Sequence, residues 1–271
     1  MAAPRMLAIA ELGWSANDRK DWADFQVRMA DQFGRLNVMD VQYRIPDLEG
    51  FMKNNVFIGE KKVEITCLDP SANIHYTTDG SIPTLESPKY DGNLVLTETT
   101  DLTLRVFRPT GKQSDIVKAH FEKTEYSPAT TAAPSNPGLK ATWYDFKGKT
   151  CAEIAAAPVK NTYRVEDVTI PRGVKSYIIG LTYKGYINIP EDGIYSFYLS
   201  SDDGSMLYID GKQVIDNDGL HAPGEVTGQA ALKQGYHPIE VQYFDHGGGS
   251  IHLKVCGNDG KEIPFTYLYA H

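Results

Sequence analysis

Hydrophobic and polar positions alternate most cleanly between Ile194 and Gly211, IYSFYLSSDDGSMLYIDG. Tyr195, Phe197 and Leu199 fall on one side of an extended chain and Ser196 and Ser200 on the other, the period of two that marks a half-buried strand. SDDG, Ser201 to Gly204, turns the chain. A second run, Ser205 to Asp210, carries Met206, Leu207, Tyr208 and Ile209 and stops at Asp210-Gly211, a dipeptide that accepts positive φ and closes tight hairpins. The pattern predicts a strand pair with Asp202 and Asp203 at its tip. Similar alternation predicts strands over 139–146, 177–189, 236–244 and 250–256. Ile239, Val241 and Tyr243 answer Ile251, Leu253 and Val255, and HGGGS, 246–250, joins the two strands as a glycine-rich turn. Such a set makes an antiparallel two-sheet sandwich.

Upstream the period changes. Short apolar runs at 56–58, 63–67, 74–77, 94–96, 102–107 and 119–121 are separated by Asp69-Pro70, Asp79-Gly80, Asp91-Gly92 and Thr110-Gly111, the punctuation of a second, smaller sandwich. Residues 124–138, TEYSPATTAAPSNPG, are rich in Pro, Ser, Thr and Ala without periodicity and predict a semi-extended linker. At the start, MLAIAELGW is apolar nearly all round, which suits a helix buried on several sides. Trp22, Phe25, Met29, Phe33 and Leu36 then recur at helical steps, with Ser15 and Asn17 offering N-caps. The chain is therefore expected to be mainly β, two sandwiches in tandem behind two helices that do not make a core of their own.

At 271 residues the chain has room for two cores, and a formal net charge of −8 excludes a nucleic-acid or polyanion partner, which needs a basic face. No apolar run approaches the ~20 residues of a membrane helix. Cys67, Cys151 and Cys256 are widely spaced and odd in number, so they form neither a disulfide framework nor a zinc site. A Cys151–Cys256 bridge or three buried thiols both satisfy the count.

Candidate chemistry centres on Asp202 and Asp203. Adjacent carboxylates repel, so they either bond turn amides or share a cation. Calcium takes roughly six to eight oxygens, and two acidic loops could complete such a shell: Asp216, Asn217, Asp218 and His221, or Asp245 and His246. The calcium candidates are Asp202, Asp203, Asp216, Asn217 and Asp218. For carbohydrate, Asp202, Asp203 and Asn217 are the candidates, with Trp143 as a stacking face. Glu11 beside Trp14, and His75, Tyr76 and Asp79 in NIHYTTDGSIPT, have structural explanations as helix packing and hairpin chemistry. No nucleophile–base pair and no phosphate loop is present, so no catalytic residue is assigned.

Three resemblances refine this reading. PRMLAIAELGWS, Pro4 to Ser15, followed by Trp22, Phe25, Arg28, Leu36 and VQYRIP, resembles the end of the (β/α)8 barrel of family 20 glycoside hydrolases, the β-N-acetylhexosaminidases. The Asp–Glu pair with which that family cleaves its substrate has no counterpart here. NIHYTTDGSIPT looks like the small immunoglobulin-like domain that follows that barrel in chitobiases. GYINIPEDGIYSFYLSSDDGSMLYIDGKQVIDNDGLH, Gly185 to His221, resembles the protective-antigen-like β-sandwich module. The resemblance implies that Asp202 and Asp203 match a cis-linked pair which, in lectin members, holds calcium with an Asn and loop carbonyls. That ion chelates vicinal sugar hydroxyls.

The implied organisation is a barrel remnant at 1–46, a small sandwich at 47–123, a linker at 124–138 and the last module at 139–271. The implied role is a non-catalytic accessory region of an exported β-N-acetylhexosaminidase, periplasmic, cell-surface or secreted with a signal upstream of Met1, whose last module binds carbohydrate or braces the catalytic barrel. Its partners would be a glycan containing N-acetylhexosamine and the catalytic barrel of the same polypeptide. A calcium-dependent lectin or adhesion module, and a scaffold without sugar affinity, are the alternatives.

Overall fold

A computed structural model of the chain describes residues 4–131, 134–257, 260–264 and 266–269. The chain is mainly β, with several antiparallel sheets. It divides into two compact units, Met1–Lys53 with Glu60–Glu122, and Asn54–Gly59 with Lys123–His271.

In the first unit, helix α1 (Arg5–Trp14) and helix α2 (Trp22–Val38) pack as a pair. Asp21 caps α2, its Oδ1 accepting the Asp24 amide at 2.7 Å. Ser15, expected as a cap, instead donates to Glu11 Oε1 at 2.8 Å. Arg28 donates to both Glu11 oxygens and to Asp24, so the helices are clamped by a fork of charge-assisted bonds. The guanidinium holds the Glu11 carboxyl below its ordinary range, with help from Ser15. Helix α1 has no buried residue, and Ile9, Leu12, Trp14 and Trp22 are exposed, Trp14 to 91%. The all-round apolar pattern of α1 thus predicted burial that these residues do not have. Helix α2 does bury Met29, Phe33 and Leu36, against Tyr43 and Leu68.

Strands β1 (Asn73–Thr77), β2 (Thr100–Phe107) and β3 (Val117–Lys123) then run antiparallel side by side. Asn37 at the end of α2 meets them through Arg108, which lies 5% exposed over the Tyr43 ring and donates to Asn37 Oδ1.

The second unit is a sandwich. Its larger sheet contains β4 (Leu139–Tyr144), β5 (Val159–Val165), β6 (Ile179–Ile189), β8 (Ser205–Ile209), β9 (Lys212–Asn217) and β11 (Gly235–Asp245), in the order β5-β4-β6-β11-β8-β9. A final strand, β13 (Tyr267–Tyr269), adds to β6. The smaller sheet is β10-β7-β12, formed by β7 (Gly193–Ser201), β10 (Gly224–Leu232) and β12 (Ile251–Cys256). Tyr183, Leu207, Val241 and Tyr243 of one sheet interlock with Phe197, Leu199, Leu253 and Val255 of the other, all buried. Each such side chain contributes roughly 1.5–3 kcal/mol by leaving water.

This topology corrects the expected hairpin. β7 and β8 belong to different sheets, so SDDG is a crossing from the smaller sheet to the larger one rather than the tip of a strand pair. HGGGS likewise crosses from β11 to β12. The true hairpin is β8–β9, turned by Asp210 and Gly211 with φ of 53° and 75°.

That turn is locked from beneath. His237 is fully buried, its Nδ1 2.8 Å from Asp210 Oδ2 and its Nε2 2.8 Å from the Lys233 carbonyl oxygen. Both neighbours are acceptors, a setting that favours the imidazolium, which donates from both ring nitrogens. Burial lowers its pKa, but the Asp210 carboxylate and the Lys233 carbonyl outweigh burial and leave it raised. Ser127 Oγ donates to the same Asp210 oxygen at 2.6 Å, and the Ser127 amide to the Ala231 carbonyl. The start of the proline-rich stretch is thus tied along the second unit. None of the three cysteines is in a disulfide, and Cys151 and Cys256 are buried and Cys67 half-buried.

Candidate functional site

Three chain crossings between the sheets meet at one end of the second unit: 202–204 from β7 to β8, 218–223 from β9 to β10, and 246–250 from β11 to β12. At a crossing the backbone leaves its ladder, and its amides need other partners. Carboxylates supply them. Asp203 accepts the His221 amide on Oδ1 at 3.1 Å and the His246 amide on Oδ2 at 3.0 Å, so one side chain staples two neighbouring crossings to its own. Asp245, 1% exposed, accepts the amides of Gly247, Gly248 and Gly249 at 2.8, 2.8 and 2.7 Å and folds the third crossing upon itself.

Asp202 is held by its backbone. Its amide donates to the Ser250 carbonyl at 3.1 Å, and its carbonyl accepts the Tyr243 hydroxyl at 2.8 Å. The Asp202–Asp203 peptide is cis. Gly249 lies so close that a Cβ there would meet the Asp202 carbonyl oxygen at 2.4 Å. The half-buried Asp202 carboxylate itself has no hydrogen-bond partner among the described residues.

Beneath the pair is a short polar ladder. Ser201 Oγ lies 2.7 Å from Ser205 Oγ, and Asn217 Nδ2 donates to Ser201 Oγ at 3.0 Å, which leaves Asn217 Oδ1 without a donor among the described residues. The neighbours of Asn217 behave differently. Asp216 alternates onto the other face of β9, is exposed, and accepts the Asp218 amide. Asp218 accepts the amides of Cys151 and Gly219 at 2.8 and 2.9 Å, anchoring the 3-10 turn Cys151–Ala156. Trp143 faces the core of the sandwich in register with Leu181 and Tyr243, three strands away from Ser205, and Lys160 covers its ring. Of the candidates, then, the fold brings Asp202, Asp203 and Asn217 to one place, and turns Asp216, Asp218 and Trp143 elsewhere.

Residues 135–266 match the PA14 domain model. Within the first unit, residues 63–121 match the model described as Fn3 associated. A curated relative, the Beta-hexosaminidase of Porphyromonas gingivalis (strain ATCC BAA-308 / W83), is 30% identical over 254 residues, 89% of this chain but 32% of its own length. The chain therefore spans about a third of that relative. Among solved structures, the PA14 sugar-binding domain from an RTX adhesin is 18% identical with a TM-score of 0.44, covering 51% of this chain and 100% of that one. The PA14 domain of the MpAFP antifreeze protein is also 18% identical, with a TM-score of 0.42 and coverage of 52% and 92%.

The donor set around Asp202 is one of hard oxygens: a carboxylate without a protein partner, the Asp203 carboxylate with lone pairs to spare, and an amide oxygen. That chemistry suits calcium and not a softer metal. Among the described residues no group of three or more His, Cys, Asp or Glu side chains gathers, so backbone carbonyls and solvent or sugar oxygens would fill the remaining positions. Sequence reasoning offered amide binding for the pair without saying that Asp203 does it for two other crossings, and it missed the Tyr243 hydroxyl beneath Asp202. No local pattern signals either, because both depend on crossings between sheets.

Proposed function

We propose that this chain is the non-catalytic accessory portion of a β-N-acetylhexosaminidase-like glycosidase, exported, and that its second unit binds glycan through calcium held by Asp202, Asp203 and Asn217. The observation that carries the reading is the Asp202 carboxylate. It is half-buried, positioned by two backbone hydrogen bonds, and left without a protein partner where every neighbouring carboxylate is engaged. Calcium bound there would offer its outward positions to vicinal hydroxyls of a sugar. Asp203 would add an oxygen while keeping its two amides, and Asn217 would present Oδ1. The likeness to the beta-hexosaminidase supports the parent enzyme, and an N-acetylhexosamine-containing glycan is the ligand that fits it.

The exposed apolar faces of α1 and the start of α2 are what the end of a larger catalytic domain would leave when seen apart from it, and the share of the relative that the chain spans supports that placement. Calorimetry with calcium, then glycan binding with and without excess EGTA, tests the proposal. Wild type should bind calcium, and its glycan affinity should vanish in chelator and in Asp202→Asn. Equal glycan binding by Asp202→Asn and wild type would overturn it. Turnover of a chromogenic N-acetylglucosaminide that survives purification would overturn the non-catalytic assignment.

A further inference from the structure

We propose that the outer face of the larger sheet carries a second glycan-binding groove, independent of calcium, which takes an uncharged oligosaccharide. An open groove of about 450 Å³ lies there, a size that accommodates a small ligand. The strand register explains why it exists. Tyr208 on β8 stands opposite Glu240 on β11, and Tyr186 on β6 stands opposite Pro238, two residues further along β11. The two tyrosines therefore flank β11 on its outer face, about 12 Å apart at the Cα atoms from strand spacing and rise. Pro238, Gly185 and Gly211 have no long side chain to fill the space between them, and they form the low part of the groove.

The walls are fixed before any ligand arrives. Tyr208 packs against the satellite cluster of Phe146, Cys151, Ile154, Met206 and Phe244. Lys184 Nζ lies 3.0 Å from Glu240 Oε2, and Gln242 Nε2 donates to Glu240 Oε1 at 2.9 Å. Both tyrosine hydroxyls are without hydrogen-bond partners among the described residues, although both rings are half-buried. A preorganised pair of rings costs a ligand little conformational entropy.

The chemistry selects the occupant. A pyranose has apolar C–H faces and a rim of hydroxyls; phenol rings take the first, while the phenol hydroxyls, Gln242 and the Lys184–Glu240 pair meet the second with both donors and acceptors. Lys184 and Glu240 cancel in charge and Glu240 at the floor repels phosphate, sulfate or carboxylate, while Lys140 at the margin adds one positive charge, which the acidic control below tests directly. A peptide adding to the sheet is disfavoured, since the groove lies over central strands whose backbone groups are already paired. The groove opens roughly 20 Å from the Asp202 crossing along β11, so one chain could hold a glycan at two points.

The test uses the full chain with excess EGTA, titrated with chitotriose, cellotriose, maltotriose and, as the charged control, trigalacturonate. At least one neutral trisaccharide should bind, and Asp202→Asn should bind it equally well. Tyr186→Ala and Glu240→Gln, each checked for unchanged melting, should weaken it about tenfold or more. Tyr208→Phe, which keeps the ring, should weaken it less than Tyr186→Ala. The proposal is overturned if wild type binds none of the three in chelator, if Tyr186→Ala and Glu240→Gln bind like wild type, or if trigalacturonate is preferred. Because chelator and Asp202→Asn affect only the calcium crossing, failure of one site is distinguishable from failure of the other.

Discussion

Removing the Asp203 carboxylate separates the two aspartates by their work. Asp203→Ala deletes the bonds to the His221 and His246 amides and frees two crossings at once. A hydrogen bond to a charged group contributes about 1.5–3 kcal/mol, and both amides lie where water can partly replace the carboxylate, so the lower end applies and the total is about 3 kcal/mol. For a unit of this size each kcal/mol moves the melting temperature by about 2–4 °C, which gives a fall of roughly 6–12 °C. Asp202→Ala, by contrast, removes a carboxylate with no protein partner and in chelator should change stability by less than about 0.5 kcal/mol.

The chain holds three tryptophans, of which only Trp143 lies in the second unit, so its fluorescence in a Trp14→Phe, Trp22→Phe background reports that unit alone. With calcium in large excess wild type should gain about 2.7 kcal/mol at one hundred times the dissociation constant, and Asp202→Ala should gain nothing. Comparable losses for the two alanine variants in chelator would refute the division of labour.

Two further outcomes follow from the same packing. The raised pKa of His237 means that its pairing with Asp210 stabilises fully below the unfolded value of 6.5 and is lost as pH rises through the folded value, so wild type should lose more melting temperature than His237→Gln between about pH 6 and about pH 9; parallel profiles would show that the ring is not charged in the fold. Gly249→Ala places a Cβ against the Asp202 carbonyl and should cost about 1–3 kcal/mol through displaced backbone, with weaker calcium binding by calorimetry. Unchanged melting would show that the crossing yields freely.

How far the sequence discloses this fold depends on how unequal the two faces of each strand are. β6, β7, β11 and β12 carry one apolar and one polar face and can be read directly. β5, KNTYRV after its first valine, is exposed at most positions, and β10, GEVTGQAAL, uses small side chains, so neither stands out by alternation. The helices show the opposite failure: α1 has the composition of a buried helix, and none of its residues is buried. Alternation also says which face a residue occupies and nothing about which sheet its strand joins. Three residues between β7 and β8 fit a hairpin and a crossing equally well, and only the pairing of β8 with β11 and β9 decides between them.

That ambiguity explains why SDDG taken alone supports both an amide-binding and a cation-binding reading. In a hairpin tip the two aspartates would be near equivalents at the end of one ladder. In a crossing they are not, because consecutive side chains leave the backbone in different directions and only one can turn back toward the two other crossings. Asp203 does so and satisfies amides that the ladders have abandoned. The same three crossings hold Asp202 through its main chain, by Ser250 and Tyr243, and therefore require nothing of its carboxylate. The fold at this end can be complete while one acidic group stays uncommitted. Replacing Asp202 should accordingly be tolerated in folding and felt only in binding, whereas replacing Asp203 should be felt in both.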